Sequence, residues 1–160
     1  MSYQKVCDFL DSKGFAREIM TMPESTATVD LAAAAIGVEP DRIAKTLAFA
    51  QGEGCAVIVV SGRARIDNKK YKATFGTKAK MLSFEDTLAA TGHAVGGVCP
   101  FGLPQGVRIC LDATLKDHQE IYPAAGESNT CLCLTLQELE DLTGGEWVDV
   151  CKGWRPEEQA

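Results

Sequence analysis

The chain has 160 residues, of which 46% are hydrophobic and 24% are charged, and its net charge is −6. These values predict a single domain over residues 1–160 with a substantial core, and the acidic balance argues against binding to DNA. No apolar run is long enough to span a bilayer, and the amphipathic N-terminus lacks the apolar core of a signal peptide, so we expect a cytoplasmic protein without membrane contact.

The first predicted elements are two helices separated by an extended segment. Val6, Phe9 and Leu10 have helical spacing, and Gly14 closes that helix. Residues 17–25 should be extended because Pro23 interrupts a helix. Residues 28–38 then predict a second helix, with Thr28 as N-cap and Gly37 at its end.

A strand hairpin is predicted next, formed by residues 43–50 and 55–62 around the turn QGEG. The remaining predicted elements alternate between short helices and short strands. In chain order they are a helix over 65–76, a strand at 81–83, a helix over 83–92 capped by Ser83, strands over 107–115, 119–126 and 130–136, a helix over 135–145 starting at Thr135, and a strand over 146–153.

This succession predicts an α+β fold, because many of the strands follow one another directly. The strands are short and broken by glycine, so we expect a mixed, mostly antiparallel, barrel-like sheet flanked by short helices. Seven cysteines are an odd number and none forms a CxxC pair, which favours reduced, buried thiols. His93 and His118 are isolated in sequence, so no metal site is predicted.

Two features indicate chemistry. Lys45 interrupts the apolar run IAKTLAFA, where an ammonium needs a partner or access to water. The alternative is a lysine that reaches solvent from a sheet edge. The stretch 92-GHAVGGVCPFGLP-104 is rich in glycine and proline. It is either a tight strand connection or a ligand site lined by backbone.

The run IAKTLAFA, the loop GGVCPFG, the strand VRICLDATL and the turn IYPAAG resemble, in this order and spacing, the YbaK/EbsC-like family. The resemblance extends from about Thr28 to Trp147. It implies a free-standing deacylase, related to the editing domain of bacterial prolyl-tRNA synthetases, that hydrolyses the ester between a wrong amino acid and the 3′ adenosine of tRNA. Cys-tRNA(Pro) and Ala-tRNA(Pro) are the substrate types implied, with prolyl-tRNA synthetase as a partner and no organic cofactor.

The resemblance also implies roles for individual residues. Lys45 matches the essential lysine of the family and is followed by Thr46. The family's glycine loop matches Gly96, Gly97, Val98, Cys99 and Pro100, with Phe101 and Gly102 beside it. The turn matches at Gly126. Cysteine-specific relatives resemble SAG or SGG here, whereas this chain has Ala124-Ala125-Gly126, and the His-Pro-x-x-N pattern of alanine-editing relatives is replaced by Tyr122-Pro123.

Hydrolysis of an aminoacyl ester requires an oriented water and stabilisation of the oxyanion, rather than a strong nucleophile. Amides of Gly96, Gly97, Val98 and Cys99 are predicted donors, and Lys45 is predicted to hold phosphate or ribose. Cys99 is either a thiol nucleophile or a side chain that lines or packs the loop. Asp112 either positions water or caps a turn. Gly126 is predicted to shape the opposite wall, and Ala125 is predicted to contact the substrate.

A basic cluster completes the candidate site. Arg65, Lys69 and Lys72 have the i, i+4, i+7 spacing of one helix face. They form either a solvated face or a surface for the phosphates of the tRNA acceptor end. Two rival functions remain at this point: a non-catalytic module of the same fold that binds tRNA or a synthetase, and a hydrolase for another small activated acyl compound.

Overall fold

The computed structural model describes residues 2–16 and 18–153. Arg17, at the start of the segment predicted to be extended, lies outside the described residues. The described chain contains five α-helices: α1 (Ser2–Ser12), α2 (Val29–Ile36), α3 (Asn68–Phe75), α4 (Phe84–Thr91) and α5 (Leu136–Thr143). No helix of this described part is both long enough and apolar enough to cross a membrane.

Short strands make up the rest of the framework. They are β1 (Met20–Thr21), β2 (Ile43–Gln51), β3 (Gly54–Ser61), β4 (Arg65–Ile66), β5 (Arg108–Asp112), β6 (Glu120–Pro123), β7 (Thr130–Cys131), β8 (Leu134–Thr135), β9 (Glu146–Val148) and β10 (Cys151–Lys152). Six of them form one curled sheet in the order β8-β6-β2-β3-β5-β9. Two small antiparallel sheets, β1 with β7 and β4 with β10, flank it.

The sheet is mixed, as the sequence predicts. β2 and β3 form the central antiparallel hairpin, from Ala44 opposite Ser61 to Gln51 opposite Gly54. β3 also pairs with β5 in parallel, and β2 pairs with β6 in parallel. β3 is buried on both faces from Cys55 onward, which explains its continuous apolar sequence.

Helices cover the two faces of the hairpin. One face, through Ala44 and Val59, joins the core cluster that contains Val6 and Leu10 of α1 and Leu139 of α5. The other face carries Phe49, Ile58 and Val60 and packs against Tyr71 of α3. The site described below lies beside β2.

The predicted helix caps are confirmed. The Thr28, Ser83 and Thr135 hydroxyls accept hydrogen bonds from backbone amides at the starts of α2, α4 and α5. Gly37 and Gly92 end α2 and α4 in the left-handed conformation, which glycine adopts without strain. Local hydrogen bonds of this kind depend on residues close in sequence, so their positions are visible in the sequence.

Several predicted elements were wrong in extent. The strand predicted over 130–136 is divided between β7 and β8, because the chain moves from one sheet to another at this point. The strand predicted over 146–153 is divided in the same way between β9 and β10. Residues Ala113–Asp117 form a 3₁₀ helix rather than the end of a strand, and the strand predicted at 81–83 is only a single bridge from Met81 to Phe49.

Candidate active site

A cavity of about 310 Å³ opens at a gap in the edge of β2. β6 covers this edge at Ile43 and Ala44. Further along, the Leu82 amide donates to the Ala48 carbonyl at 3.0 Å, and the Ala50 amide donates to the Lys80 carbonyl at 2.9 Å. Residues 45–47 lie between these two covered stretches and line the cavity.

The cavity walls come from four other parts of the chain and are mostly apolar. Among residues 2–16 and 18–153, no aspartate, glutamate or histidine lines the cavity. The cavity therefore offers shape, backbone groups and one cation. The lining residues are Thr26, Ala27, Thr28, Val29, Ala32, Ile43, Ala44, Lys45, Thr46, Leu47, Ala48, Met81, Leu82, Phe84, Thr87, Val95, Gly96, Val98, Tyr122, Ala124 and Cys131.

Lys45 supplies the cation. Burial is the main reason why its pKa lies below the usual lysine value; the Cys151 thiol opposes this shift, and the positive charge of Arg65 adds to it. Within residues 2–16 and 18–153, no carboxylate oxygen lies within salt-bridge distance of its ammonium. An anionic or polar ligand that reaches a half-buried ammonium without a partner stabilises its charge.

Thr46 places a second polar group at the cavity wall. Its hydroxyl oxygen is buried and has no hydrogen-bond partner among the described residues. The Ala48 carbonyl and Ala50 amide point away from β3, so the alternation of an antiparallel strand turns the Thr46 peptide groups toward the same open edge. The peptide groups of this residue are thus available to a ligand, and its buried hydroxyl lies beside them.

Gly96 and Val98 are the members of the predicted glycine loop that line the cavity together with Lys45 and Thr46. The φ of +101° at Gly96 favours glycine, and a Cβ at this position would lie 3.1 Å from the Ala27 Cβ. In the described part of the chain, the amides of Gly96 and Val98 donate to no protein acceptor, whereas the Gly97 amide donates to the Ala94 carbonyl at 2.9 Å. Gly97 is therefore unsuited to the donor role predicted for it.

The other glycines of the predicted site serve packing. A Cβ on Gly97 would lie 2.6 Å from the Gly126 carbonyl oxygen, and a Cβ on Gly126 would lie 2.9 Å from the Ser2 carbonyl oxygen. A Cβ on Gly102 would lie 2.9 Å from the Lys5 carbonyl oxygen of α1. The loop is glycine-rich mainly because it is held between α1 and the turn at Gly126, and only one of its glycines lines the cavity.

Cys99, Pro100 and Phe101 are buried beneath the loop instead of lining the cavity. Burial raises the pKa of the Cys99 thiol to about 12, so the thiolate is nearly absent at neutral pH. His93 lies beside it, with 3.7 Å between Cys99 Sγ and His93 Nε2. His93 Nε2 donates to the Phe101 carbonyl at 2.7 Å, and its other ring nitrogen contacts the Ser2 hydroxyl. The geometry favours a packed thiol over a nucleophile.

Asp112 and Ala125 also lie away from the cavity. The two Asp112 carboxylate oxygens accept from the amides of Thr114 and Val150, at 3.0 and 2.9 Å, in the fully buried core. This arrangement matches the turn-capping alternative. Ala125 is buried, and its amide donates a hydrogen bond to the Thr130 carbonyl at 3.1 Å. Its neighbour Ala124, where this chain departs from the SAG pattern, lines the cavity instead.

The basic residues are exposed but do not share one helix face. Arg65 belongs to β4, and Asp67 caps α3 after it, so only Lys69 and Lys72 lie on the helix. The predicted helix began too early, because the Asp67 carboxylate accepts from the first amides of α3 and fixes its start. None of the three basic residues lines the cavity.

Sequence reasoning missed the apolar residues at the cavity mouth. Met81, Phe84 and Val95 line the cavity and remain exposed to solvent. Apolar residues at helical or strand spacing predict core, so nothing in the sequence separates these three from buried ones. Across the described residues, no group of three or more metal-binding side chains gathers at one place.

Comparisons with known proteins identify the family of the chain. The sequence profile described as the aminoacyl-tRNA editing domain matches residues 23–142. The uncharacterized protein YwhH of Bacillus subtilis (strain 168) is 46% identical over 139 residues, covering 86% of this chain and 88% of YwhH.

More distant relatives include synthetases. A proline–tRNA ligase of Thermosipho melanesiensis is 26% identical over 92% of this chain, which spans only 26% of the ligase. A solved structure of a proposed trans-editing enzyme for prolyl tRNA synthetase superimposes with a TM-score of 0.87 at 32% identity, covering 95% of this chain and 98% of that one. From its sequence profile and its fold, the chain belongs to the family of aminoacyl-tRNA editing domains.

Proposed function

We propose that the protein is a trans-acting deacylase that hydrolyses mischarged aminoacyl-tRNA, with Cys-tRNA(Pro)- or Ala-tRNA(Pro)-like substrates. The observation that carries this proposal is the meeting of Lys45, Thr46 and Gly96 at one mostly apolar cavity. Such a cavity suits an ester that is already activated, because its hydrolysis needs positioning and charge stabilisation more than a protein base.

In the proposed reaction, a water oxygen attacks the ester carbonyl carbon, and the bond from that carbon to the ribose oxygen breaks. The ribose oxygen takes up a proton, and the products are the free amino acid and uncharged tRNA. The amides of Gly96 and Val98 stabilise the oxyanion, since both residues line the cavity and their amides have no acceptor among the residues that the structure describes. The Lys45 ammonium holds a phosphate or ribose oxygen as a point charge.

The Thr46 hydroxyl and Ala124 complete the proposed substrate contacts. The unpartnered hydroxyl binds a polar atom of the acylated ribose or of the amino acid. Ala124 lines the wall where this chain departs from the cysteine-specific pattern, so its small side chain helps to set which amino acid fits. Arg65, Lys69 and Lys72 would contact phosphates of the acceptor end outside the cavity.

The decisive experiment is a panel of tRNA(Pro) molecules charged with alanine, cysteine and other small amino acids. Wild-type protein should hydrolyse at least one of them well above the spontaneous rate, and Lys45→Ala should lower kcat/KM about a hundredfold. Lys13→Ala, an exposed lysine that lies outside both the cavity and the basic cluster, is the matched control. A wild-type rate equal to the spontaneous rate for every tRNA would contradict the proposal.

The second candidate function is a non-catalytic module that binds tRNA or prolyl-tRNA synthetase. The departure at Ala124 favours it, because a changed cavity wall can abolish catalysis while the fold is kept. Retention of tRNA in a binding assay, without turnover of any charged tRNA in the panel, would support this module over the deacylase.

A further inference from the structure

The mouth of the cavity carries an exposed apolar surface, which we call the apolar rim and define as Met81, Phe84 and Val95. Their exposed fractions are 60%, 76% and 47%, and all three also line the cavity. Exposed apolar side chains that adjoin a concave site mark contact with a ligand or partner. A molecule that enters the cavity beside these residues would contact the rim.

Phe84 is the most exposed large apolar residue of the described chain. It follows the N-cap Ser83, and its spacing to the buried Thr87 and Thr91 places it on the inward side of α4. A phenylalanine on the inward side of a helix is normally covered by the core. Here the ring borders the cavity instead of a packed helix or strand, so it remains exposed to solvent.

Charged residues of opposite sign lie on the two sides of the Met81–Phe84 segment in sequence. Lys78 and Lys80 are exposed in the segment that leads to Met81. Glu85 and Asp86 are exposed in the first turn of α4, next to Phe84. A nucleic-acid strand would therefore place its phosphates toward the lysines and away from the carboxylates, which leaves its bases to face the Phe84 ring.

We propose that the apolar rim, with Phe84 at its centre, is a stacking platform for the unpaired terminal base of the tRNA acceptor end. This inference rests on the proposed function, because it places the acylated ribose in the cavity and the attached base at the mouth. Every base has a flat π-face, so stacking on an exposed aromatic ring binds single-stranded ends without reading their sequence. Phe84 thereby positions the ester relative to Lys45 and Gly96.

Kinetics of four proteins test the platform with Ala-tRNA(Pro) and Cys-tRNA(Pro) as substrates. Phe84→Ala should raise KM about five- to fiftyfold and leave kcat within about threefold, whereas Phe84→Tyr, which keeps an aromatic ring, should stay within about twofold of wild type. Leu88→Ala is the matched control, since Leu88 is 51% exposed on the same helix but does not line the cavity. An unchanged KM in Phe84→Ala, or an equal change in Leu88→Ala, overturns the platform.

A binding experiment separates this inference from the proposed function. Uncharged tRNA(Pro) is compared with the same RNA lacking the 3′-terminal base. Wild type should bind the abasic RNA about five- to fiftyfold more weakly, and Phe84→Ala should bind the two RNAs equally. Equal binding by wild type overturns the platform, even if deacylation is observed. Absence of deacylation together with the base-dependent difference removes the proposed function but supports the platform.

Sedimentation of wild type and Phe84→Ala completes the test. Both should have the same mass in solution, because a platform for a base leaves the rim unpaired with protein. A wild-type dimer that Phe84→Ala converts to a monomer assigns the rim to a second copy of the chain and overturns the proposal.

Discussion

The hydroxyl of Thr46 is buried at the cavity wall without a hydrogen-bond partner in the described chain. Thr46→Val replaces it with a methyl group of similar shape, so the free energy of unfolding should rise by about 1 kcal/mol. Deacylation should fall about tenfold in kcat/KM, because the polar contact to the substrate is lost. Urea unfolding and the charged-tRNA assay measure the two effects.

Thr46→Ser is the control for this prediction, since it keeps the hydroxyl and should keep activity within a few-fold. A Thr46→Val protein that is less stable and fully active would show that the hydroxyl serves the fold rather than the ligand.

Lys45 should reduce stability in the absence of substrate. Its pKa is lowered in the folded protein, mainly by burial, so below that pKa the folded state bears the full cost of the charged amine. As pH rises through the folded pKa toward the value in the unfolded chain, the folded state loses the proton first and wild-type stability increases. Lys45→Met should therefore be more stable than wild type near pH 7, with a difference that narrows in alkaline solution.

Denaturant unfolding between neutral and alkaline pH measures this difference. Lys78→Met removes one positive charge from the exposed surface and should change stability by no more than about 0.5 kcal/mol. A Lys45→Met variant that is less stable than wild type at pH 7 would show that the ammonium has a stabilising partner.

At the level of single residues, the sequence identified site residues whose type is unusual for their position and missed those whose type is common there. Lys45 could be predicted because a cation in an apolar strand is unusual. Thr46 was predicted from the family resemblance alone, because a threonine in a strand is common. Phe84 was missed because its spacing is that of a core residue, and only the tertiary structure shows that nothing covers it.

At the level of elements, the glycine loop is positioned by two neighbours, α1 and the turn at Gly126. The Gly126 amide donates to the Gly97 carbonyl at 3.1 Å. Gly97→Ala would place a methyl group against the backbone of the turn at Gly126, which cannot move aside as a flexible side chain could. We expect it to lower the free energy of unfolding by at least about 2 kcal/mol and to lower kcat/KM, because Gly96 moves with the loop.

Gly54→Ala is the matched control for this change. A Cβ on Gly54 would lie 3.6 Å from the nearest carbonyl oxygen, an ordinary contact, so its stability should stay within about 1 kcal/mol of wild type. Urea denaturation of both variants checks the prediction, which fails if the two alanines have similar effects.

Helix caps could be predicted because each depends on residues within one turn. The divided strands could not, because β7 and β8, and likewise β9 and β10, differ only in which distant strand they meet. Alternating cysteine and leucine in CLCL indicates an extended chain and carries no information about a change of sheet. The contact between α1 and the glycine loop is likewise invisible in the sequence, since nearly a hundred residues separate its two sides.

At the scale of the whole molecule, charge is unevenly distributed. The net charge is −6, yet a stretch of eighteen residues holds seven of the sixteen basic ones: Arg63, Arg65, Lys69, Lys70, Lys72, Lys78 and Lys80. Contact through this basic stretch would orient a bound polyanion, because the rest of the chain is acidic in balance. The order of strands in the sheet, by contrast, required the structure, because sequence patterns identify strands but not their neighbours.

Lys69→Glu combined with Lys72→Glu tests the basic surface. The double variant should bind tRNA about tenfold more weakly, and the slope of log affinity against log salt should flatten by about 1.5 as two phosphate contacts are lost. Filter binding over a range of salt concentrations measures both. Lys13→Glu with Lys116→Glu changes net charge equally at exposed positions elsewhere and should leave the slope nearly unchanged. Equal slopes for the two double variants would exclude the basic surface from binding.

The gap in the edge of β2 has a further consequence. Unpaired main-chain groups at the margin of a sheet invite pairing with a foreign strand, which leads to aggregation. In this protein the uncovered stretch is only three residues long and lies inside a recess, between β6 on one side and the 80–82 segment on the other. A second polypeptide would need a longer unpaired strand edge to form a row of β-sheet hydrogen bonds. The unpaired peptide groups can therefore bind a small ligand in the cavity, whereas a strand of a second copy of the chain cannot pair with them.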